Sequence, residues 1–286
     1  MLQDLDFGQL DNQYREQLPS PEDTVVCIRG KDILIARDGQ DRLTLPTWAQ
    51  VQLWQESWTN WGIGAFRYAF RMQDVNYFLY MGEAGEPADS AFTYEPAAGL
   101  RQRTSKNICF AAMTAWHLYI WYKNSRYCGN CGAKTAHDGV ECMMRCPVCG
   151  NMIFPRISPA VIAAVTDGDR IVLSKYANRA YTRHSLLAGF IEIGETAEEA
   201  VAREVMEEVG LKVKNIRYYK SQPWGIAGNL SIGYFCDLDG DDAIRLDTQE
   251  LAMAQWYSRS EMPTQDDGIS LTREMMRIFA EGNEPK

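Results

Sequence analysis

The sequence lacks three features that would place the protein at a membrane or on duplex nucleic acid. It has no apolar run of the ~20 residues that a membrane-spanning helix needs. It has no basic excess, because 29 Lys and Arg face 38 Asp and Glu for a net charge of −9. Duplex nucleic acid and anionic lipid surfaces both attract basic proteins, so neither is an expected partner. The start, MLQDLDFGQL, is acidic and therefore unlike a signal or transit peptide, which predicts a cytoplasmic protein.

Histidine is also scarce, with three in 286 residues. We interpret all three as structural residues. His117 has no partner at a metal-binding spacing, and His137 would become a ligand only if a cysteine were missing. His184 has largely apolar neighbours, although it precedes an acidic segment and an assisting role for it stays open.

Cysteine, in contrast, is concentrated in one segment. Cys128-Gly-Asn-Cys131 and Cys146-Pro-Val-Cys149 are C-x2-C pairs with fourteen residues between them. This spacing is typical of a tetrahedral zinc site, and four cysteine ligands leave no open position, so the predicted zinc is structural. We interpret Cys142 as a spare thiol. The remaining cysteines, in apolar surroundings, are interpreted as packing residues: Cys27, Cys109 and Cys236.

The order of motifs predicts four segments. VVCIRG and DILIARDG indicate two strands joined at Gly30-Lys31, and the tryptophans that follow indicate core rather than a base-stacking surface. An apolar stripe predicts one helix over 105–125, and strands alternate with helices beyond residue 156. The predicted division is a small β-rich N-terminal domain (1–97), a connecting helix (98–126), the zinc ribbon (127–155) and an α/β domain (156–286).

Residues 189–211, GFIEIGETAEEAVAREVMEEVGL, join a glycine loop to an acidic helix. Thr196 with Glu199 is a capping-box pattern, so the helix should begin at Ala197 and end near Gly210. Three glutamates should lie side by side on this helix: Glu204, Glu207 and Glu208. Like charges at this spacing destabilise a bare helix, whereas hard oxygen ligands suit Mg²⁺ or Mn²⁺. The simpler alternative is a solvated acidic face.

The same segment matches the pattern G-x5-E-x7-R-E-U-x-E-E-x-G-U, with U an apolar residue, at every fixed position. It thus resembles the Nudix box of the Nudix hydrolases. The resemblance implies an α/β (α+β) fold class with an α/β/α sandwich, and Mg²⁺- or Mn²⁺-dependent hydrolysis of a nucleoside diphosphate linked to another moiety. Glu207 would be a ligand or the general base, and Arg203 would pair with Glu195. The implied metal shell is Glu204, Glu208, Glu250 and the carbonyl of Ala188.

A zinc ribbon before the box and Ser221-Gln-Pro-Trp224 after it resemble the NADH pyrophosphatases, or NAD⁺ diphosphatases, of this superfamily. The resemblance implies cleavage of NAD(H) to NMN(H) and AMP, activity on the 5′ ends of NAD-capped RNA, and a homodimer. The family residues that contact substrate correspond to Phe154, Gln222, Pro223, Trp224, Gly225, Ile226, Ala227, Gly228, Asn229 and Thr272.

The segment after Trp224 departs from the family pattern. The family continues P-F-P-x-S, whereas this chain has Gly225 to Asn229, with two glycines that should make the segment more flexible. Preference for NADH is therefore open. Alternative functions are hydrolysis of ADP-ribose or another dinucleotide, and a non-catalytic regulator that contacts nucleic acid through the ribbon.

Overall fold

The computed structural model describes residues 1–5, 10–37, 42–58, 62–102, 105–178, 182–263 and 268–286. The chain divides by its contacts into two compact units. The N-terminal unit contains 2–156 together with the turn 225–228, and the C-terminal unit contains Met1, 157–224 and 229–286. Within the described ranges, no helix has the length and apolar character needed to cross a membrane.

A mixed sheet forms much of the N-terminal unit. The elements are β1 (Leu10–Asp11), β2 (Thr24–Arg29), β3 (Asp32–Arg37), β4 (Leu43–Thr44), α1 (Trp48–Gln52), β5 (Phe66–Met72), β6 (Val75–Tyr80) and β7 (Phe92–Pro96). The strand order in the sheet is β1-β5-β6-β2-β3-β4, with β7 beside β3. The predicted hairpin is present, because Ile28 and Arg29 pair with Ile33 and Asp32.

Tryptophans fill the core of this sheet, as predicted. Trp48, Trp54 and Trp58 are buried in one apolar cluster with strand residues such as Tyr80. Trp61, the fourth of the series, lies outside the described residues.

The predicted connecting helix and ribbon complete the N-terminal unit. Helix α2 (Lys106–Asn124) begins after Ser105, whose hydroxyl accepts from the backbone N–H of Ile108. The ribbon contains three short strands, β8 (Ala136–His137), β9 (Met144–Arg145) and β10 (Met152–Ile153). They form a small antiparallel sheet in the order β10-β9-β8.

The C-terminal unit contains a six-stranded sheet and two helices. Its elements are β11 (Ser158–Asp167), β12 (Arg170–Tyr176), β13 (Leu187–Phe190), α3 (Ala197–Val209), β14 (Val213–Trp224), β15 (Asn229–Leu238), β16 (Leu251–Ser258) and α4 (Leu271–Ala280). The strand order in the sheet is β14-β15-β11-β12-β16, with β13 beside β11.

The two faces of this sheet are covered by different helices. Along β11, Val161, Ala163 and Val165 pack in the cluster of α3, whereas Ile162 and Ala164 pack in the cluster of α4. Alternate residues of a strand point to opposite faces, so the sheet lies between the two helices. The expected α/β/α sandwich is confirmed.

Two boundaries differ from the prediction. Residues 184–188, HSLLA, predict a short strand, but the strand begins later, at Leu187, and continues through Gly189 to Phe190 because it pairs with β11. Residues 214–221 predict a strand that ends at Ser221, whereas β14 continues to Trp224 because its end pairs with the beginning of β15. Both differences arise from pairing with a distant strand, which local sequence does not report.

Candidate active site and zinc ribbon

Helix α3 has the ends that its sequence predicts. The Thr196 hydroxyl accepts from the backbone N–H of Glu199 at 3.2 Å, and the Glu199 carboxylate accepts from the backbone N–H of Thr196 at 2.8 Å. Gly210 ends the helix in the left-handed conformation with φ +69°. One face is buried, and it contains Ala200, Val201, Val205 and Val209. The glutamates therefore have fixed positions relative to the sheet.

The carboxylate of Glu204 lies against the Cα of Gly189. A Cβ added at residue 189 would lie 1.9 Å from Cδ of Glu204 and 2.0 and 2.2 Å from its two oxygens. Burial raises the pKa of Glu204, the hydrogen bond and charge of Arg203 oppose this shift, and the charges of Glu207 and Glu250 add to it. Glycine at 189 thus forms a cradle for one acidic group on which other negative charges act.

Arg203 binds the acidic groups on both sides of it. Its Nε and Nη2 donate to the two oxygens of Glu195 at 2.7 and 2.9 Å, which confirms the predicted pair. Its Nη1 donates to Glu204 at 2.8 Å and to Glu207 at 2.9 Å. Nη2 also donates to the carbonyl of Phe190 at 2.9 Å, so Arg203 ties the glycine loop to the helix. The contact with Glu207 has the i,i+4 spacing of helical ion pairs, although the pattern predicted a pair of Arg203 with Glu195 alone.

The other predicted metal ligands differ in exposure. Glu208 is 2% exposed, whereas the side chain of Glu207 is 60% exposed. Glu250 is exposed and directly precedes β16, and its charge acts on Glu204. Ala188 pairs with Ile162 in the sheet and packs beside the α4 cluster. Carboxylate and carbonyl oxygens are the donors that Mg²⁺ and Mn²⁺ accept, so this donor set fits such an ion by its chemistry. The structure does not bring the carboxylates together, because among the described residues no three of them have oxygens within 4.8 Å of one another.

The four predicted zinc ligands meet in the ribbon. Their sulfurs all lie within 4.8 Å of one another. Across the described residues, no other group of three or more His, Cys, Asp or Glu side chains has its ligand atoms this close together. Cys128 and Cys149 are 3.6 Å apart, and Cys131 and Cys146 are 3.5 Å apart. Zinc–sulfur bonds of about 2.3 Å in a tetrahedron separate sulfurs by about 3.8 Å, so the cluster has the size of a zinc site.

Two equivalent turns hold these cysteines. Gly132 donates its backbone N–H to the carbonyl of Cys128 at 2.8 Å, and Gly150 donates to Cys146 at 3.0 Å. Both glycines have positive φ, +76° and +74°. Hydrogen bonds from the backbone of Asn130, then of Cys131, lower the pKa of the Cys128 thiol to about 6, which favours the thiolate that binds metal.

Two protein families match this chain. The family described as "NUDIX domain" matches residues 156–277, and the family described as "NADH pyrophosphatase zinc ribbon domain" matches residues 123–154. The chain contains a Nudix domain preceded by the zinc ribbon of NADH pyrophosphatases. The ribbon is accordingly a structural zinc site, because its four cysteines meet in one cluster. The Nudix domain is of a type that requires a divalent metal.

Curated relatives of this chain include two proteins named "NAD-capped RNA hydrolase NudC", from Shigella dysenteriae serotype 1 and Escherichia coli strain K12 / DH10B. Each is 41% identical over 143 residues, which is 50% of this chain and 55% of the relative. The chain thus spans about half the length of these relatives. Among solved structures, a Nudix hydrolase from Nitrosomonas europaea has a TM-score of 0.48 and 20% identity, over 55% of this chain and 90% of that one.

The residues predicted to contact substrate are found in both units. Gln222, Pro223, Trp224 and Asn229 lie where β14 and β15 pair, and Thr272 is the second residue of α4. Gln222 is buried and Pro223 is exposed. In the N-terminal unit, Phe154 is 52% exposed. The turn of the N-terminal unit contains Gly225, Ile226, Ala227 and Gly228.

Gly225 differs from the expectation of a flexible segment. It is buried, and a Cβ at this residue would lie 2.3 Å from the backbone carbonyl oxygen of Met113 in α2. Gly228 has φ +70° and closes the turn by donating its N–H to the carbonyl of Gly225 at 3.1 Å. Glycine at 225 is therefore required by a close approach of two backbones, and at 228 by the conformation of the turn.

The three histidines all have protein partners, in agreement with structural roles. His117 Nε2 lies 2.8 Å from the carbonyl of Arg156. His137 Nε2 lies 2.9 Å from the hydroxyl of Tyr122, and His184 Nε2 lies 3.1 Å from that of Tyr257.

Proposed function

We propose that this protein hydrolyses the pyrophosphate bond of NAD(H) to give NMN(H) and AMP, and removes NAD caps from RNA 5′ ends. The observation that carries the proposal is the carboxylate of Glu204 cradled at Gly189, beside Arg203, in a chain whose ribbon is of the NADH pyrophosphatase type. The curated relatives named NAD-capped RNA hydrolase support the same substrate class.

Glu204 and Glu208, with Glu250 and the carbonyl of Ala188, would hold Mg²⁺ or Mn²⁺. An ion bound there supplies Lewis acidity to the phosphoryl oxygens and lowers the pKa of a bound water. Glu207 has the exposure required to accept a proton from an attacking water or to become a further ligand. Arg203 neutralises the acidic groups and, through Glu195 and the Phe190 carbonyl, keeps the loop on the helix.

A substrate panel tests this proposal. Purified protein is incubated with NADH, NAD⁺, ADP-ribose or NAD-capped RNA and either Mg²⁺ or Mn²⁺, and the products are identified by mass. We expect NMN(H) and AMP from NADH and NAD⁺, and a loss of about 10²-fold or more in kcat for Glu204→Gln, as for loss of a group that stabilises the transition state. Faster cleavage of ADP-ribose than of NAD(H) would support the alternative dinucleotide activity. No cleavage of any substrate would favour the non-catalytic regulator.

The same proposal includes a cytoplasmic homodimer that does not bind duplex DNA. The net charge of −9 supports the last point, because phosphate contacts need Lys and Arg. Sedimentation of the full chain tests the dimer, and a mass of one chain would contradict it.

A further inference from the structure

Gln222 uses both the nitrogen and the oxygen of its side-chain amide to hold the beginning of helix α4. Its Nε2 donates to the carbonyl of Ile269 at 2.7 Å, and its Oε1 accepts from the backbone N–H of Leu271, also at 2.7 Å. Leu271 is the first residue of α4, and an N–H at this position has no partner within the helix. Ser270 caps another orphan donor of the first turn by accepting from the N–H of Arg273 at 3.4 Å.

The chemistry of this contact is specific to glutamine. One partner is an acceptor and the other a donor, so the side chain must present both functions on one group. Glutamate presents acceptors alone when ionised, and alanine presents neither. Gln222 is 2% exposed, so a lost hydrogen bond there leaves a buried backbone group unsatisfied.

The beginning of α4 is in turn packed against strand β15. A Cβ at Gly233, the partner of Lys220 across β14 and β15, would lie 2.7 Å from Sδ of Met275, so the helix lies directly on the sheet. Leu271 and Met275 belong to the apolar cluster against which Ala188 packs. A shift of the first turn of α4 would therefore move Thr272, the second residue of the helix.

We propose that Gln222 is a positioning residue, which fixes the first turn of α4 and with it Thr272, and that its side chain does not itself contact the substrate. The kinetic consequence rests on the proposed function, whereas the contact with α4 does not. Gln222, which lies in the segment that resembles a substrate-binding motif, thus acts through the helix.

Hydrogen exchange of the full chain without substrate tests the contact. In Gln222→Ala the amide of Leu271 should exchange about tenfold faster, as for loss of one buried hydrogen bond. Gln222→Glu keeps an acceptor for this amide, so its acceleration should be smaller. An unchanged Leu271 amide in Gln222→Ala would overturn the proposal, and a side chain that contacted only substrate would give that result.

Kinetics then test the consequence, with Lys220→Met as the matched control. Lys220 Nζ bonds Glu274 at 2.6 Å, so this variant loosens β14 from α4 one turn further along. Gln222→Ala should raise KM for NAD⁺ about tenfold with kcat within about twofold, since α3 is untouched. Lys220→Met should leave KM unchanged. An equal rise in both variants, or no rise in Gln222→Ala, would contradict positioning of Thr272 by Gln222. If the wild-type chain cleaves no dinucleotide, the proposed function fails, and the exchange of Leu271 still decides the contact.

Discussion

Replacement of Gly189 by alanine should separate metal binding from folding. The new Cβ would lie 1.9 Å from Cδ of Glu204, whereas ordinary contacts between carbon atoms are about 3.5–4.0 Å. The carboxylate must therefore retreat by roughly 1.6–2.1 Å, the difference between these distances. Gly189 is not among the residues with positive φ, so alanine adds no backbone strain there.

The two consequences should differ in size. Glu204 is the end of a flexible side chain and can turn away, at the expense of its 2.8 Å hydrogen bond with Arg203. One such bond contributes about 1 kcal/mol to stability. A displacement of about 1 Å at a reacting centre, in contrast, lowers a rate about 10²-fold. Gly189→Ala should thus fold almost normally but bind metal weakly and turn over slowly.

The assay combines thermal melting without metal, calorimetric titration with Mn²⁺, and turnover of NAD⁺. Gly194→Ala is the matched control in the same loop, because Gly194 has φ +92° and no atom near its Cβ position. Alanine at that φ should destabilise the fold by about 1–3 kcal/mol while the carboxylates keep their geometry. Wild-type Mn²⁺ affinity and turnover in Gly189→Ala would refute the assignment of Glu204 as a metal ligand.

Three further predictions concern pH, packing and zinc. The hydrogen bond from Arg203 lowers the pKa of Glu195 from 4.5 to about 2, so the pair stabilises the fold above pH 4.5 and this contribution is lost as the pH falls toward 2. The difference in Tm between wild type and Glu195→Gln should therefore be largest above that pH and vanish near pH 2 in a melting series. Gly225→Ala forces a Cβ against the carbonyl of Met113 and should lower the free energy of unfolding in urea by about 1–3 kcal/mol, and wild-type stability would contradict the contact. Wild-type protein should contain about one zinc per chain by mass spectrometry, and Cys131→Ser less than half of it, because each tetrahedral site needs four ligands.

The parts of the structure that the sequence predicted are those with local signals. The ends of α3 follow from Thr196, Glu199 and Gly210, because caps involve residues three or four apart. The zinc cluster follows from the spacing of two cysteine pairs around turns that close on themselves. The pair of Arg203 with Glu195 came from the Nudix pattern, which fixes residues on one loop and one helix. In each case the chain segment itself contains both partners.

The parts that the sequence did not predict depend on contacts between distant segments. A glycine can meet two different needs, a positive φ or the close approach of another backbone, and the sequence does not separate them. Gly228 meets the first need, and Gly225 meets the second against Met113, more than a hundred residues away in the chain. Neither need is flexibility, which was the expectation for this pair. The loss of the family's prolines therefore does not imply that the predicted substrate segment is flexible. Substrate selectivity should instead depend on the turn 225–228, whose shape is fixed by packing. Substitutions at Met113 that keep its backbone in place should leave that turn intact, because Gly225 contacts the backbone carbonyl of this residue.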